Sequence, residues 1–233
     1  IQNGRVLLEG SRIDRLGSSS DPPASGSRTV DADGRVVMPG LVDLHGDDIE
    51  RQLYPRANAR VDARTALMAA DRENLLNGIT TKFHAIAFED APDGDRTISE
   101  AAELGREISA ARYTLGDNRV HARCELANES VSAVARLCEE IAVDLFSVMH
   151  HAPGRGQFDE EGFRRHYVDN KDCSTADAAR LAAARRATSR GDRMELAARA
   201  AELAEANAAP LASHDDETIE DVDAMADLGA SIS

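Results

Sequence analysis

The sequence has no tryptophan, and aromatic residues fill only 3% of its 233 positions. Its core must therefore be built from Ala, Leu, Val and Ile, which a 42% hydrophobic content permits. Lysine is scarce as well: Lys82 and Lys171 are the only lysines among 27 basic residues. Three cysteines, Cys124, Cys138 and Cys173, are an odd number at wide spacing. That argues against a disulfide framework or a Cys-x-x-Cys zinc motif, and a reducing cytoplasm is the expected compartment. No run of about 18 apolar residues occurs, so no helical membrane span is expected. No signal-peptide pattern is read at the start of the chain. Neither Gly-x-Gly-x-x-Gly nor a P-loop segment is present, which weakens a nucleotide-binding sheet.

Positive charge is also short. There are 42 acidic residues against 27 basic ones, a net charge of −15. Such a surface repels nucleic acid and anionic membranes, leaving a small molecule as the expected partner. An acidic, Lys-poor and Ala-rich composition suits a salt-adapted surface, so a halophilic source is expected. The chain begins at Ile1 without Met and stops at Ser233, inside a segment that reads as the start of a strand. Both ends are expected to be cut from a longer protein.

Residues 1–37 read as short strands and turns, with turn signals at Asn3-Gly4 and Asp33-Gly34. From residue 38 strands and helices alternate. Strands are expected over 36–45, 79–88, 120–126, 143–150, 210–214 and from 230. Helices are expected over 63–77, 98–113, 130–140, 174–207 with a break near Gly191, and 218–227. Asn128 or Ser130 is expected to cap the 130–140 helix. Alternation implies parallel βαβ units, in either a closed barrel or an open doubly wound sheet. In both, functional residues gather beyond the C-terminal strand ends.

The histidines and several carboxylates fall at those ends. His45, Asp47 and Asp48 follow the first alternating strand, and His84 lies in the second, ahead of Glu89 and Asp90. His121, Arg123 and Glu125 lie on the third, His150 and His151 end the fourth, and His214, Asp215 and Asp216 end the fifth. Only His166 falls in an expected long loop. Residues i and i+2 of a strand share a face, so His45 and Asp47 can offer an imidazole and a carboxylate to one cation. His121, Arg123 and Glu125 share a face by the same rule. Such a ligand set suits Zn²⁺, Mn²⁺ or Fe²⁺. His-x-Asp alone is a weak motif, and Asp215-Asp216-Glu217 also suits a helix N-terminus. The convergence of His45, Glu125, His151 and His214 on successive strand ends favours a metal site over separate structural residues.

Val37-Met38-Pro39-Gly40-Leu41-Val42-Asp43-Leu44-His45 resembles the first barrel strand of the amidohydrolase superfamily. Further segments resemble the branch of that superfamily that acts on the ribosyl triphosphate of the carbon–phosphorus lyase pathway. They are His45-Gly46-Asp47-Asp48-Ile49-Glu50-Arg51, Gly78-Ile79-Thr80-Thr81, His121-Ala122-Arg123-Cys124-Glu125, the loop from His151 to Phe158, and Leu211-Ala212-Ser213-His214-Asp215-Asp216. The resemblance implies an α/β fold: a (β/α)8-type TIM barrel over 38–233, incomplete at its C-terminus, after a partial N-terminal β-sandwich element over 1–37. It implies divalent metal ions, two in number (Zn, Mn or Fe), held by His45, Asp47, Glu125, His151 and His214, with Glu125 bridging. Arg123 and Arg155 would contact a phosphorylated substrate, whereas Arg51 and Arg56 suit surface ion pairs equally well. Water would attack the 5-triphosphate of α-D-ribose 1-methylphosphonate 5-triphosphate and release pyrophosphate. His84 and His150 stand where the resemblance leads one to expect acidic residues. The proton-shuttling Asp of the last strand is expected beyond Ser233, so no catalytic residue is assigned within the chain. The same scaffold serves cyclic amidases, deaminases and sugar deacetylases. A non-catalytic metal- or anion-binding barrel is the competing reading of another class, and a homo-oligomer is allowed.

Overall fold

The turn residues near the N-terminus give a local pairing, and the alternating segments give one long parallel sheet. The computed structural model describes residues 2–10, 12–56, 59–89, 97–154, 159–169 and 173–232. It divides into two units, Ile1–Pro39 and Gly40–Ser233. In the first, β1 (Gly4–Glu9) and β2 (Arg12–Ser18) pair antiparallel. Asn3 and Asp33 both take positive φ, 51° each, as their turn positions with a following glycine require. Among the described residues this unit holds one two-stranded layer, whereas a sandwich takes two.

The second unit runs β3 (Leu41–Gly46), α1 (Ile49–Leu53), α2 (Ala63–Leu76), β4 (Ile79–Phe88), α3 (Ile98–Ala110), β5 (Asp117–Glu125) and α4 (Asn128–Cys138). It continues with β6 (Leu145–Met149), α5 (Glu160–Asp169), α6 (Thr175–Ala187), α7 (Arg190–Ala206), β7 (Leu211–Ser213), α8 (Ile219–Asp227) and β8 (Ser231–Ile232). The six strands β3 to β8 lie side by side in sequence order, and each neighbouring pair is parallel. A doubly wound sheet reverses its strand order at a switch point, which sends helices to both faces. This sheet has no reversal, so crossovers of one hand leave their helices on one face. Accordingly α2, α3, α4 and α7 pack in succession against one another and against the strands.

Side-chain alternation separates the two faces. Ile86 and Phe88 of β4, Val120, Ala122 and Cys124 of β5, and Phe146 and Val148 of β6 join Leu67, Leu104, Val134 and Ala200 of the helices in one apolar core. The intervening positions on β5 and β6, His121, Arg123, Glu125 and Ser147, are buried and polar. Helix ends follow local chemistry. Asp62 caps α2 through Thr65, Thr97 and Glu100 form a capping box on α3, and Gly78 closes α2 at φ 80°.

Several boundaries differ from expectation. Residues 36–40 are not strand, because Pro39 lacks the N–H a ladder needs, and β3 begins at Leu41. The helix expected from residue 130 starts at Asn128, with Ala127 at the cap position and no side-chain cap bond. The break in the long Ala-rich stretch falls at Thr188 and Ser189, where Ser189 caps α7 with Asp192. His166 lies in helix α5 and not in a loop: Glu160 and Glu161 occupy its first turn, and Phe163 and Tyr167 bury one face at i, i+4 spacing. No helix among the described residues is long and apolar enough to cross a membrane.

Candidate metal centre

The polar face of β5 supplies the centre. Glu125, the last residue of that strand, is fully buried. A buried carboxylate needs donors, and the two residues just past β6 deliver them. The His151 backbone N–H donates to Glu125 Oε1 and Oε2 at 3.1 and 3.3 Å, and His151 Nδ1 lies 3.0 Å from Oε2. His150 Nδ1 stands 3.3 Å from Glu125 Oε1. Glu89, just past β4, is buried too and accepts from the Tyr167 hydroxyl at 3.3 Å. Glu89, Glu125 and His151 place ligand atoms within 4.8 Å of one another.

The other expected histidines adjoin this group. The ring of His45 meets those of His121 and His214 edge-on, at centroid distances of 5.2 and 5.4 Å. His214 in turn lies 6.4 Å from His151. His45, His214, His151 and Glu125 thus form a connected series along the strand ends. Asp47 is exposed past the end of β3, close enough for its charge to act on His45. Burial holds the His45 pKa below the ordinary imidazole value, with the Arg123 and His214 charges adding to the effect. His121 is driven further, to about 3, by burial and then by His45. It stays neutral, with Nδ1 3.0 Å from the Leu44 carbonyl and Nε2 2.8 Å from Ser147 Oγ.

His214 shows the arrangement a metal-binding imidazole needs. Its Nδ1 lies 3.0 Å from Asp215 Oδ2, while its Nε2 is buried with no hydrogen-bond partner. A carboxylate on one ring nitrogen fixes the tautomer and leaves the other nitrogen as a ligand. Asp215 also lies 3.3 Å from His151 Nε2 and takes φ 64°, a left-handed conformation that Asp tolerates better than most residues. Hydrogen bonds from His151 and His214 hold its carboxyl well below the usual carboxylate range. Imidazoles with carboxylates, one nitrogen left open, fit a divalent transition metal.

Not every expected residue joins the centre. His84 turns to the helix side, where its Nε2 lies 2.7 Å from Asn118, itself bonded to Asp71 of α2. Arg123 is buried on the polar face of β5. Arg51 and Arg56 are exposed. Arg155 and Asp90 lie outside the described residues. Two contributors were not anticipated as site residues. Glu89 carried a signal, its position just past a strand. Arg185, on α6, pairs with Glu125 and carried none, since it sits in an Ala/Arg-rich helix beside the exposed Arg186.

Known proteins resemble the chain as follows. It is 30% identical over 242 residues to the α-D-ribose 1-methylphosphonate 5-triphosphate diphosphatase of Escherichia coli K12, covering 100% of this chain and 60% of that protein. A stretch of 45 residues is 49% identical to imidazolonepropionase of Streptomyces coelicolor, covering 19% of this chain and 11% of that one. A solved D-hydantoinase matches 97% of this chain and 52% of its own at 17% identity, with a TM-score of 0.43. No protein-family model matches. The chain thus spans about 60% of the diphosphatase's length. The similarity to the diphosphatase along the whole of this chain, with the shorter match to imidazolonepropionase, fits the amidohydrolase superfamily.

Proposed function

We propose that the protein carrying this chain is a metal-dependent diphosphatase. It would cleave the 5-triphosphate of α-D-ribose 1-methylphosphonate 5-triphosphate to release pyrophosphate, in phosphonate breakdown. The observation behind the reading is the contact series His45, His214, His151 and Glu125, from the C-terminal ends of β3, β7, β6 and β5, with the open Nε2 of His214 within it. Similarity to the diphosphatase supports the substrate. The sheet is read as six strands of a (β/α)8 barrel, preceded by part of a β-sandwich. A barrel of this kind places its site at the C-terminal strand ends, where these residues lie.

His45, Asp47, Glu125, His151 and His214 would hold two divalent ions, Zn, Mn or Fe, and the paired carboxylates make Glu89 a further candidate ligand. Bound ions would supply Lewis-acid stabilisation of phosphoryl charge and lower the pKa of water. The chain's own residues do the rest. Asp215 orients His151 and His214, and Arg123 offers a guanidinium to phosphate oxygens. Arg155, by its motif position, would offer a second.

The test is a substrate panel, run on the protein with any flanking sequence its gene encodes. The ribosyl triphosphate, a cyclic amide and an aminopurine are each supplied with Zn²⁺, Mn²⁺ or Fe²⁺. Pyrophosphate from the first, with little turnover of the others, supports the diphosphatase. Turnover of the amide or the aminopurine without pyrophosphate release would move the protein to another branch of the superfamily.

A further inference from the structure

Helices α5 and α6 form a hairpin with a small core of its own, built from Phe163, Tyr167, Cys173 and Ala178. They pack chiefly on each other, apart from the layer of α2, α3, α4 and α7 that covers the sheet. Two of their side chains nevertheless reach the buried carboxylates. Tyr167 donates to Glu89, and the Arg185 guanidinium pairs with Glu125 while lying 4.0 Å from Glu89. Arg185 is only 5% exposed.

Charge makes this contact informative. Two buried carboxylates close together need a positive counterpart, and in this structure a guanidinium provides it. Yet Glu89, Glu125 and His151 are also the donors grouped tightly enough for a divalent ion. A guanidinium against Glu125 and a divalent ion on the same oxygens are two cations in one place. They repel, and they compete for the same lone pairs. The guanidinium is held by the separately cored hairpin, so it can withdraw without disturbing the sheet that positions Glu125 and His151.

We propose that Arg185 is a displaceable counter-cation. It neutralises Glu125 and Glu89 in the metal-free chain and leaves them when a divalent ion binds, loosening the α5–α6 hairpin. The proposal rests on the metal-centre reading above. It differs in sign from a positioning role: an arginine that merely orients Glu125 would strengthen metal binding.

The test is Mn²⁺ binding by titration calorimetry to the unsubstituted chain, Arg185→Met and Arg185→Lys, each checked for fold by circular dichroism. Removing the competitor should tighten Mn²⁺ binding in the Met variant by about tenfold or more. The Lys variant, which keeps the charge, should stay near the unsubstituted chain. Equal or weaker binding by Arg185→Met, with the unsubstituted chain binding normally, overturns the proposal and leaves the metal centre standing. If none of the three binds Mn²⁺ or Zn²⁺, the metal centre fails and the proposal falls with it. Should the Met variant not fold, hydrogen exchange on the unsubstituted chain decides. Mn²⁺ should speed exchange in 160–169 and 175–187, and no change there would overturn the proposal.

Discussion

Lys82, one of the two lysines, is nearly buried, and its ammonium lies 2.6 Å from Asp43 and 2.8 Å from Asp48. Burial opposes its charge, but the hydrogen bonds to the two carboxylates outweigh that and raise its pKa. The side chain passes beside Gly46, where an added Cβ would stand 1.9 Å from both Cε and Nζ of Lys82. An alanine in His45-Gly46-Asp47 would therefore have to displace the end of the Lys82 side chain, whose two ion pairs clamp the segment presenting His45. Gly46→Ala should push the ammonium off its partners and destabilise the chain by about 1–3 kcal/mol, the usual cost of overpacking. Urea unfolding measures this, and an unchanged midpoint would show that Lys82 relaxes freely.

The helices that cover the sheet and the hairpin that carries Arg185 answer to different cores. Phe163 is 1% exposed within the small hairpin cluster. Phe163→Ala should cost that unit about 3 kcal/mol, read as faster hydrogen exchange in α5 and α6 with β4 and β5 unaffected. Faster exchange across the whole sheet as well would mean that the hairpin is part of the main core. Legibility in the sequence divides along the same line. Strand alternation with helices, and the shared face of His121, Arg123 and Glu125, follow from local periodicity, and the sheet contains both. Helix α5 was obscured by Gly162 and a run of charged residues, whose amphipathic spacing is carried by only Phe163 and Tyr167. The place of Arg185 is set by tertiary packing, and periodicity carries no trace of it. His84 fell on a strand as expected, but which face it occupies depends on register, and β3 and β4 shift register between Asp43 and Gly46.

At the scale of the molecule, β3 and β8 are the outermost strands of the six-stranded sheet among the described residues. Leu41, Val42 and Leu44 on β3 are 48%, 59% and 56% exposed. An apolar open edge is a template for pairing with another chain, so the 233-residue chain should self-associate with rising concentration. Sedimentation velocity would show this, and a strictly monomeric chain at high concentration would show the edge to be protected. Net charge of −15 opposes association, so added salt should promote it. Function at this scale depends on the strand ends acting together. The most direct measurement is pyrophosphate release from α-D-ribose 1-methylphosphonate 5-triphosphate by the protein carrying this chain, with and without Glu125→Gln. The diphosphatase reading predicts release that requires a divalent metal and falls by about 100-fold or more in the folded Gln variant. No release with Zn²⁺, Mn²⁺ or Fe²⁺, or release undiminished by Glu125→Gln, would contradict it.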